Sequence, residues 1–532
     1  MDALDGNAIG GLLIDVFAAE MTAASSTCGT CGAIRPVAEL VVYRRAPGTV
    51  VRCRTCGSVL MVFVTAHGVT GVDLSGLASL DQPGPPYPTS RSLSNKSISR
   101  TSKQEGTEEM SMSNEMSMQT PQGQMMMQGG HVYVQTNEIR NCVIHYFRAP
   151  DGKLTEVERV FTGGAGSGPY KPVSDQDSAP NAFEGANSVI LTPDRRFLFA
   201  TNGGDNSVSS FAVGVDGKLT LLDAKRTGNV VEGRSGTAKA LAYSPSHSTL
   251  YVLHAFGPDH LRLMSVDGEG NLTARPEGYT INTPDKPRRV ATMAALTADE
   301  KFIVVGTTFD EPAKPNPDGS PILWVEKNGA PHSIASNAPD PDGLIVFPVG
   351  AYGALGEGKF QDGGGGSPWN VQFLHHRPDT FVLGYAVGDG LALGQIGEHG
   401  DVTIGPITKI DTSGGLPTEL CWLAISPDDQ MAFATNFGYG YVSSYRIDGN
   451  VLSIVKDPAC PKVPGDGTFR ALNGTVSSGP ADNWLSPDGA YLYQVYPNAS
   501  KLVGYAVQPD GSLGEITSAT IPYQSPQGLT GF

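Results

Sequence analysis

The sequence predicts a mainly β protein: a seven-bladed β-propeller over residues 131–532, preceded by a small zinc ribbon over residues 1–80 and a disordered linker over 81–130. Three observations carry this reading. From His131 onward the chain repeats an apolar strand, a Ser-Pro-Asp-like turn, a second apolar strand, a polar loop, a third strand, an Asp-Gly turn and a fourth strand. A four-stranded unit recurring about every 50 residues cannot bury its faces alone and must close on its neighbours as a propeller. The first unit opens on "HVYVQTN" at His131, which matches the second strand of the others, so its innermost strand must come from elsewhere. The segment Pro526 to Phe532, "PQGLTGF", is the one left over, and pairing it with Tyr133 and its neighbours removes the free sheet edges. Finally, Cys28, Cys31, Cys53 and Cys56 form two Cys-x-x-Cys knuckles, each followed by glycine.

At the N-terminus, Ile9, Leu12, Leu13, Val16 and Phe17 recur at helical spacing, which predicts an amphipathic helix packed on its own ribbon. In each knuckle two thiolates three positions apart reach one ion, and Gly32 and Gly57 let the backbone amides fold back toward sulfur. "VAELVVYRRAPGTVVRC" reads as a hairpin turning at Ala46-Pro47-Gly48, and "SVLMVFVTAHGVTGVDL" as a second. Two hairpins clipped by four sulfurs make a module too small to be stable without its metal, so the expected cofactor is one structural zinc. A redox role would want a thioredoxin-like βαβ context, which is absent. Arg44, Arg45, Arg52 and Arg54 form a basic cluster too weak to read as a nucleic-acid footprint.

The segment from Gln82 to Gly130 is rich in Pro, Ser, Gln and Met and nearly free of aromatics, a composition that cannot offset the entropy of ordering. Its methionines, Met110, Met112, Met116, Met118 and Met125 to Met127, could hold copper(I), but no His or Cys supports them. A tether joining two genes is the plainer reading.

The formal charge of −16 resides mostly on the propeller, which argues against nucleic acid as a partner. No apolar run is long enough to cross a bilayer, and the acidic start "MDALDG" is unlike a signal peptide, so the expected location is cytoplasmic, with no membrane partner. Cys142, Cys421 and Cys460 read as reduced, half-buried residues of such a compartment.

The stretches "HVYVQTNEIRNCVIHYFRAPDGKL", "FLFATNGGDNSVSSFAV", "ELCWLAISPDDQMAFATN" and "SPDGAYLYQVYPNASKLVGYAVQPDGSL" resemble the lactonase-type seven-bladed propellers, a family that includes 6-phosphogluconolactonases and carboxymuconate-lactonizing enzymes. The first 80 residues resemble a family of small uncharacterised actinobacterial zinc-ribbon proteins. In the catalytic branches of the propeller family, Gly-Pro-Arg-His leads into an inner strand and aims Arg and His at the central channel. Aligned on the turn, this chain places Ala481 and Asp482, Asn187 and Ser188, Lys239 and Ala240, Thr292 and Met293, and Cys421 and Trp422 there, so no unit keeps Arg-His. Lys286-Pro287-Arg288-Arg289 sits too far ahead of its strand.

What remains at the channel mouth is Asn187, Lys239, Glu419 and Asp482, with Trp369 and Asn370 opening the fifth inner strand. Two functions follow. The resemblance implies a hydrolase or isomerase acting on a small lactone or cyclic acid, with Lys239 anchoring the anion and Asp482 as general base. Loss of Arg-His implies instead a non-catalytic scaffold that binds a small ligand or a protein on the propeller face. An open pocket uniting Lys239 and Asp482 would favour the first, and a channel plugged by apolar side chains the second. Trp422 and Trp484 are expected to pack blades, and His375-His376 to lie on a surface turn.

Overall fold

The computed structural model describes residues 4–17, 21–45, 48–66, 69–81, 129–169, 185–231, 235–284, 289–310, 343–364, 366–386, 388–411, 418–469, 475–523 and 527–532. The chain forms two units, divided between Gln119 and Thr120. The predicted tether and its methionines lie outside the described residues, apart from Asp81, Gly129 and Gly130 at its ends.

In the first unit the predicted helix forms over Gly10–Phe17 behind a 3-10 turn, Gly6–Ile9. Ile9 and Leu13 are buried against Val42, Val51, Leu60, Met61 and Phe63, with Leu12, Val16 and Phe17 at the margin of the same core. Both expected hairpins form, Val41–Arg45 with Gly48–Arg52 and Val59–Ala66 with Val69–Asp73, and they join Leu4–Asp5 in one five-stranded sheet. A second sheet, Ile34–Pro36, Ser25–Cys28 and Leu77–Asp81, did not announce itself in the sequence because its strands are short and lack an apolar period.

The second unit is a ring of seven sheets. From the second to the seventh blade the innermost strands are Val189–Leu191, Ala238–Ser244, Arg289–Leu296, Pro368–Phe373, Leu420–Ile425 and Asn483–Leu485. In the first blade the innermost strand is Leu529–Gly531, which pairs antiparallel with Gly130–Gln135 in the register Leu529↔Val134, Thr530↔Tyr133, Gly531↔Val132. Each inner strand contacts the next around the ring, and Leu529–Gly531 touches those of the second and seventh blades, so the ring is closed by the chain's last strand. The blades interlock through apolar faces, for example Phe199 and Val208 of the second with Leu250 and Val252 of the third.

The turns that follow the inner strands explain the Ser-Pro-Asp motif. Thr192, Thr297, Ser426 and Ser486 each donate a hydroxyl proton to the aspartate two residues on, at 2.6, 2.8, 2.5 and 2.5 Å. Two blades lack this aspartate and borrow a carboxylate from the next blade. In the third, "SPSHS", Glu300 of the fourth blade accepts from Ser244 and, at 2.6 Å, from Ser246. In the fifth, "HHRPD", Asp429 of the sixth accepts the His375 and His376 amides at 2.8 and 2.7 Å. Glu300 and Asp429 hold the same turn position, and both have a left-handed backbone, φ 56° and 58°.

Candidate channel site and metal centre

Inner strands are entered through residues of positive φ, among them Asn187 (64°), Thr237 (55°), Ser367 (62°), Glu419 (55°) and Gly528 (89°). Immediately beyond these turns the pairing slips in four blades, between Ala238 and Ala240, between Arg289 and Ala294, between Pro368 and Asn370, and between Leu420 and Leu423. A bulge re-aims the unpaired residue. Lys239, Thr292, Met293, Trp369, Cys421 and Trp422 all stand at such slips, on the channel side of their blades.

The segment Gly185–Asn187, which leads into the second blade, lies across this mouth. The Trp422 indole of the sixth blade donates to the Gly185 carbonyl at 3.0 Å. A Cβ on Gly185 would stand 2.8 Å from Lys239 Cε of the third blade and 2.8 Å from the Thr292 carbonyl of the fourth, so only glycine fits. Ala186 belongs to one buried apolar cluster with Met293, Trp369, Trp422 and Ala481, which come from the fourth, fifth, sixth and seventh blades. Asn187 accepts the Leu241 amide of the third blade at 2.9 Å and gives its own amide to the carboxyl of Asp482 in the seventh. Gly185–Asn187 thus lies against inner strands of the third, fourth, sixth and seventh blades, on the channel side of the ring.

The residues predicted for the channel stand near this segment, each with its own partners. Lys239 is fully buried and donates to the Ala291 carbonyl at 2.6 Å, and its charge acts on His260, which burial holds down to about 4. Asp482 is buried and accepts the amides of Asn187 and Gly528; burial outweighs those bonds and raises its carboxyl to about 8. Glu419 accepts the Phe437 amide at 3.1 Å through its backbone carbonyl. Trp369 packs edge-on to Trp422, ring centres 5.7 Å apart, and the buried Trp369 Nε1 and Asn370 Oδ1 have no hydrogen-bond partner among the described residues.

Trp422 packs edge-on against Trp369 of the neighbouring blade, and its indole also reaches the Gly185 carbonyl, while Trp484 stacks on Tyr493. One expectation needs correction. Arg289 is the first residue of its inner strand; it is buried and bonds the Ile281 carbonyl and Thr283. Lys286, Pro287 and Arg288 lie outside the described residues. Gly185 and Gly528 escaped notice altogether, since nothing in a sequence tells a glycine kept for close approach from one in an ordinary turn. A separate cleft of about 480 Å³, lined by Phe302, Val346, Pro348, Glu357, Lys359 and His399, lies between the fourth and fifth blades and shares none of these residues.

In the first unit the four knuckle sulfurs all lie within 4.8 Å of one another, with Cys28 Sγ to Cys56 Sγ and Cys31 Sγ to Cys53 Sγ both 3.7 Å. A tetrahedral thiolate site with metal–sulfur bonds of about 2.3 Å has edges of about 3.8 Å, so the four residues could hold a metal ion. The knuckles are near copies. Gly32 and Gly57, φ 69° and 77°, donate to the carbonyls of Cys28 and Cys53 at 2.9 Å each, and the Cys28 and Cys53 amides donate to Ala33 and Ser58. The Ser58 hydroxyl and amide hold Cys56 down to about 6. At Cys31 the Ala33 amide pulls the thiol down, but Cys56 and burial carry it up to about 12. Four sulfurs this close cannot all shed their protons without a cation to share the charge.

Comparison with known proteins agrees with both units. Residues 1–85 match the model of a family of unknown function, DUF6510. Residues 104–284 match the model described as lactonase, 7-bladed beta-propeller. No curated protein matches the chain. Among solved structures, a periplasmic gluconolactonase from Pseudomonas aeruginosa is similar with a TM-score of 0.52 at 14% identity, covering 76% of this chain and 99% of that one. A candidate 6-phosphogluconolactonase from Bacteroides fragilis gives 0.51 at 14%, covering 77% and 99%. A protein from Lactobacillus plantarum gives 0.52 at 14%, covering 76% and 99%. Identities this low show fold alone. The second unit thus has the fold of the lactonase-type seven-bladed propellers and resembles that family, while the first 85 residues match a family with no assigned activity.

Proposed function

We propose that the propeller is a binding platform and not a lactone-opening enzyme, and that the first unit is a structural zinc module fused to it. The observation that carries the first part is the Gly185–Asn187 segment held on the channel side of the ring by Trp422 and Asp482. A ring-opening site needs a cation for the anionic group and a base for water, both facing one space. Here the Lys239 ammonium is spent on a backbone carbonyl and the Asp482 carboxyl on two amides. Binding of a small ligand or a protein then falls to the propeller faces.

For the first unit, four cysteine ligands fill all positions of a tetrahedral ion, which suits structural zinc. Outside that cluster Cys142, Cys421 and Cys460 form no disulfide, which suits a reducing compartment and supports a cytoplasmic location. The test of the platform reading is hydrolysis of 6-phosphogluconolactone by the full chain. We expect a rate no faster than spontaneous opening. Turnover well above it, lost in Lys239→Ala or Asp482→Ala, would overturn the reading.

A further inference from the structure

We propose that the junction of the first and seventh blades, on the side of the ring that carries the Ser-Pro-Asp turns, is a binding site for a carboxylate built on the guanidinium of Arg148. The site lies apart from the channel residues and stands whether or not the propeller opens lactones.

Three arginines are buried among the described residues, Arg148, Arg262 and Arg289, and they differ in how their charge is met. Arg262 gives Nε to the Thr227 carbonyl, Nη1 to Asp259 and the Pro276 carbonyl, and Nη2 to the Arg275 carbonyl. Arg289 gives Nη1 to the Ile281 carbonyl and Thr283. Arg148 is the most buried of the three, 4% exposed, yet its Nε and Nη1 have no hydrogen-bond partner among the described residues. The acids of the neighbouring turns are committed elsewhere: Asp151 to Lys153 at 2.7 Å, Asp488 to the Ser486 hydroxyl at 2.5 Å, and Asp216 to the Lys218 amide at 3.2 Å. The groups on which the Arg148 charge acts are His131 and Tyr493, and neither offers a negative charge at neutral pH.

Arg148 ends the strand Cys142–Arg148, opposite Gly130 at the start of Gly130–Gln135. Its guanidinium carbon lies over Tyr491 of the seventh blade, 6.0 Å from the ring centre, at the outer limit of a cation–π contact. On the other side Gly130 brings no side chain. A Cβ there would stand 2.9 Å from Arg148 Nη2, so a larger residue would crowd the one nitrogen of the guanidinium that is not enclosed. The Phe532 carbonyl, which borders Gly130, is taken by the His131 amide at 2.8 Å.

A guanidinium cannot shed its proton, so a buried one without an acceptor bears the cost of leaving water uncompensated. The fork also selects what would compensate it. A carboxylate makes two parallel bonds to Nη2 together with either Nε or Nη1, and those are the two nitrogens left bare. One cation balances one negative charge, so a carboxylate suits the site better than a phosphate dianion.

The experiment titrates the full chain with sodium acetate in place of sodium chloride at constant ionic strength, following binding by saturation-transfer NMR of the acetate methyl group and stability by melting temperature. The wild type should bind acetate saturably, and its melting temperature should rise as the site fills. Arg148→Met, which keeps an apolar stem and removes the charge, should weaken acetate binding by about tenfold or more and melt no lower than the wild type in chloride. No saturable binding by the wild type, or equal binding by the two proteins, would overturn the site. A folded Met variant that melts well below the wild type in chloride would overturn it too, by showing that the chain itself engages the charge. If the variant does not fold, phenylglyoxal labelling of wild-type Arg148 decides, read by peptide mass spectrometry against the exposed Arg226. Acetate should slow labelling at Arg148 alone, and labelling unaffected by acetate would overturn the site.

Discussion

Asp482→Asn should change how the stability of the propeller depends on pH, and the size of the change follows from the structure. The folded carboxyl sits at about 8, raised by burial against two amide bonds. In the unfolded chain it titrates near the ordinary value of about 3.9. Between these limits the folded state holds a proton that the unfolded state has lost. The group's stabilising contribution is therefore complete below about pH 4 and declines until the folded carboxyl itself ionises. The decline amounts to about 1.4 kcal/mol per pH unit, or about 3 kcal/mol between pH 5 and pH 7. Asparagine does not titrate, so the variant keeps every other pH effect and loses this one. Measuring urea midpoints of both proteins at half-unit steps from pH 5 to 9 isolates the difference. The wild type should lose stability relative to the variant up to about pH 8, and the two curves should then run parallel. Curves parallel from pH 5 upward would mean that Asp482 is ionised in the fold, and the account of its burial would be wrong.

Three further outcomes are expected. Elemental analysis of purified protein should return one zinc per chain, and Cys31→Ser or Cys53→Ser should lose it; retention of zinc in either variant would place the ion elsewhere. Removal of residues 527–532 should bare Gly130–Gln135 as a sheet edge and provoke aggregation, so a soluble truncated chain with unchanged melting would mean the ring does not depend on this strand. Trp422→Ala should cost about 3 to 5 kcal/mol, the range for emptying a buried tryptophan site, and a loss below about 1 kcal/mol would mean that the indole does not hold the Gly185–Asn187 segment.

Blade count, strand order and ring closure were all legible, because each rests on a short-range pattern. The match of "HVYVQTN" to second strands elsewhere was enough to assign the missing inner strand to the chain's end, and Leu529–Gly531 fills that place. The cysteine cluster that could hold a metal ion was legible for the same reason: spacing within a knuckle fixes its geometry. The channel was not. Counting back from the turn led to Lys239, Trp369, Trp422 and Asp482, but identity at an aligned position says nothing of direction once a bulge intervenes. The slips at Ala238–Ala240 and Leu420–Leu423 turned Lys239 onto a neighbouring carbonyl and Trp422 onto that of Gly185. The Gly185–Asn187 segment was hidden more deeply, because Gly185 and Ala186 carry no chemistry of their own and act only through where the backbone lies.

The same logic accounts for the irregular turns, and there it can be tried. Where a hydroxyl heads the turn it needs a carboxylate, and in the third blade Ser246 stands where Asp194, Asp299, Asp428 and Asp488 stand in others. Glu300 meets the need from the next blade, so a bond that is local elsewhere becomes a tie between blades. Glu300→Ala should then cost about 1 to 3 kcal/mol, the range for leaving such donors unpaired. Placing the local carboxylate back, Ser246→Asp in the Glu300→Ala background, should recover most of it. In the wild-type background Ser246→Asp should destabilise, since two carboxylates would compete for one hydroxyl. Additive effects of the two substitutions would show that Glu300 serves the fourth blade alone, and that its closeness to Ser244 is incidental.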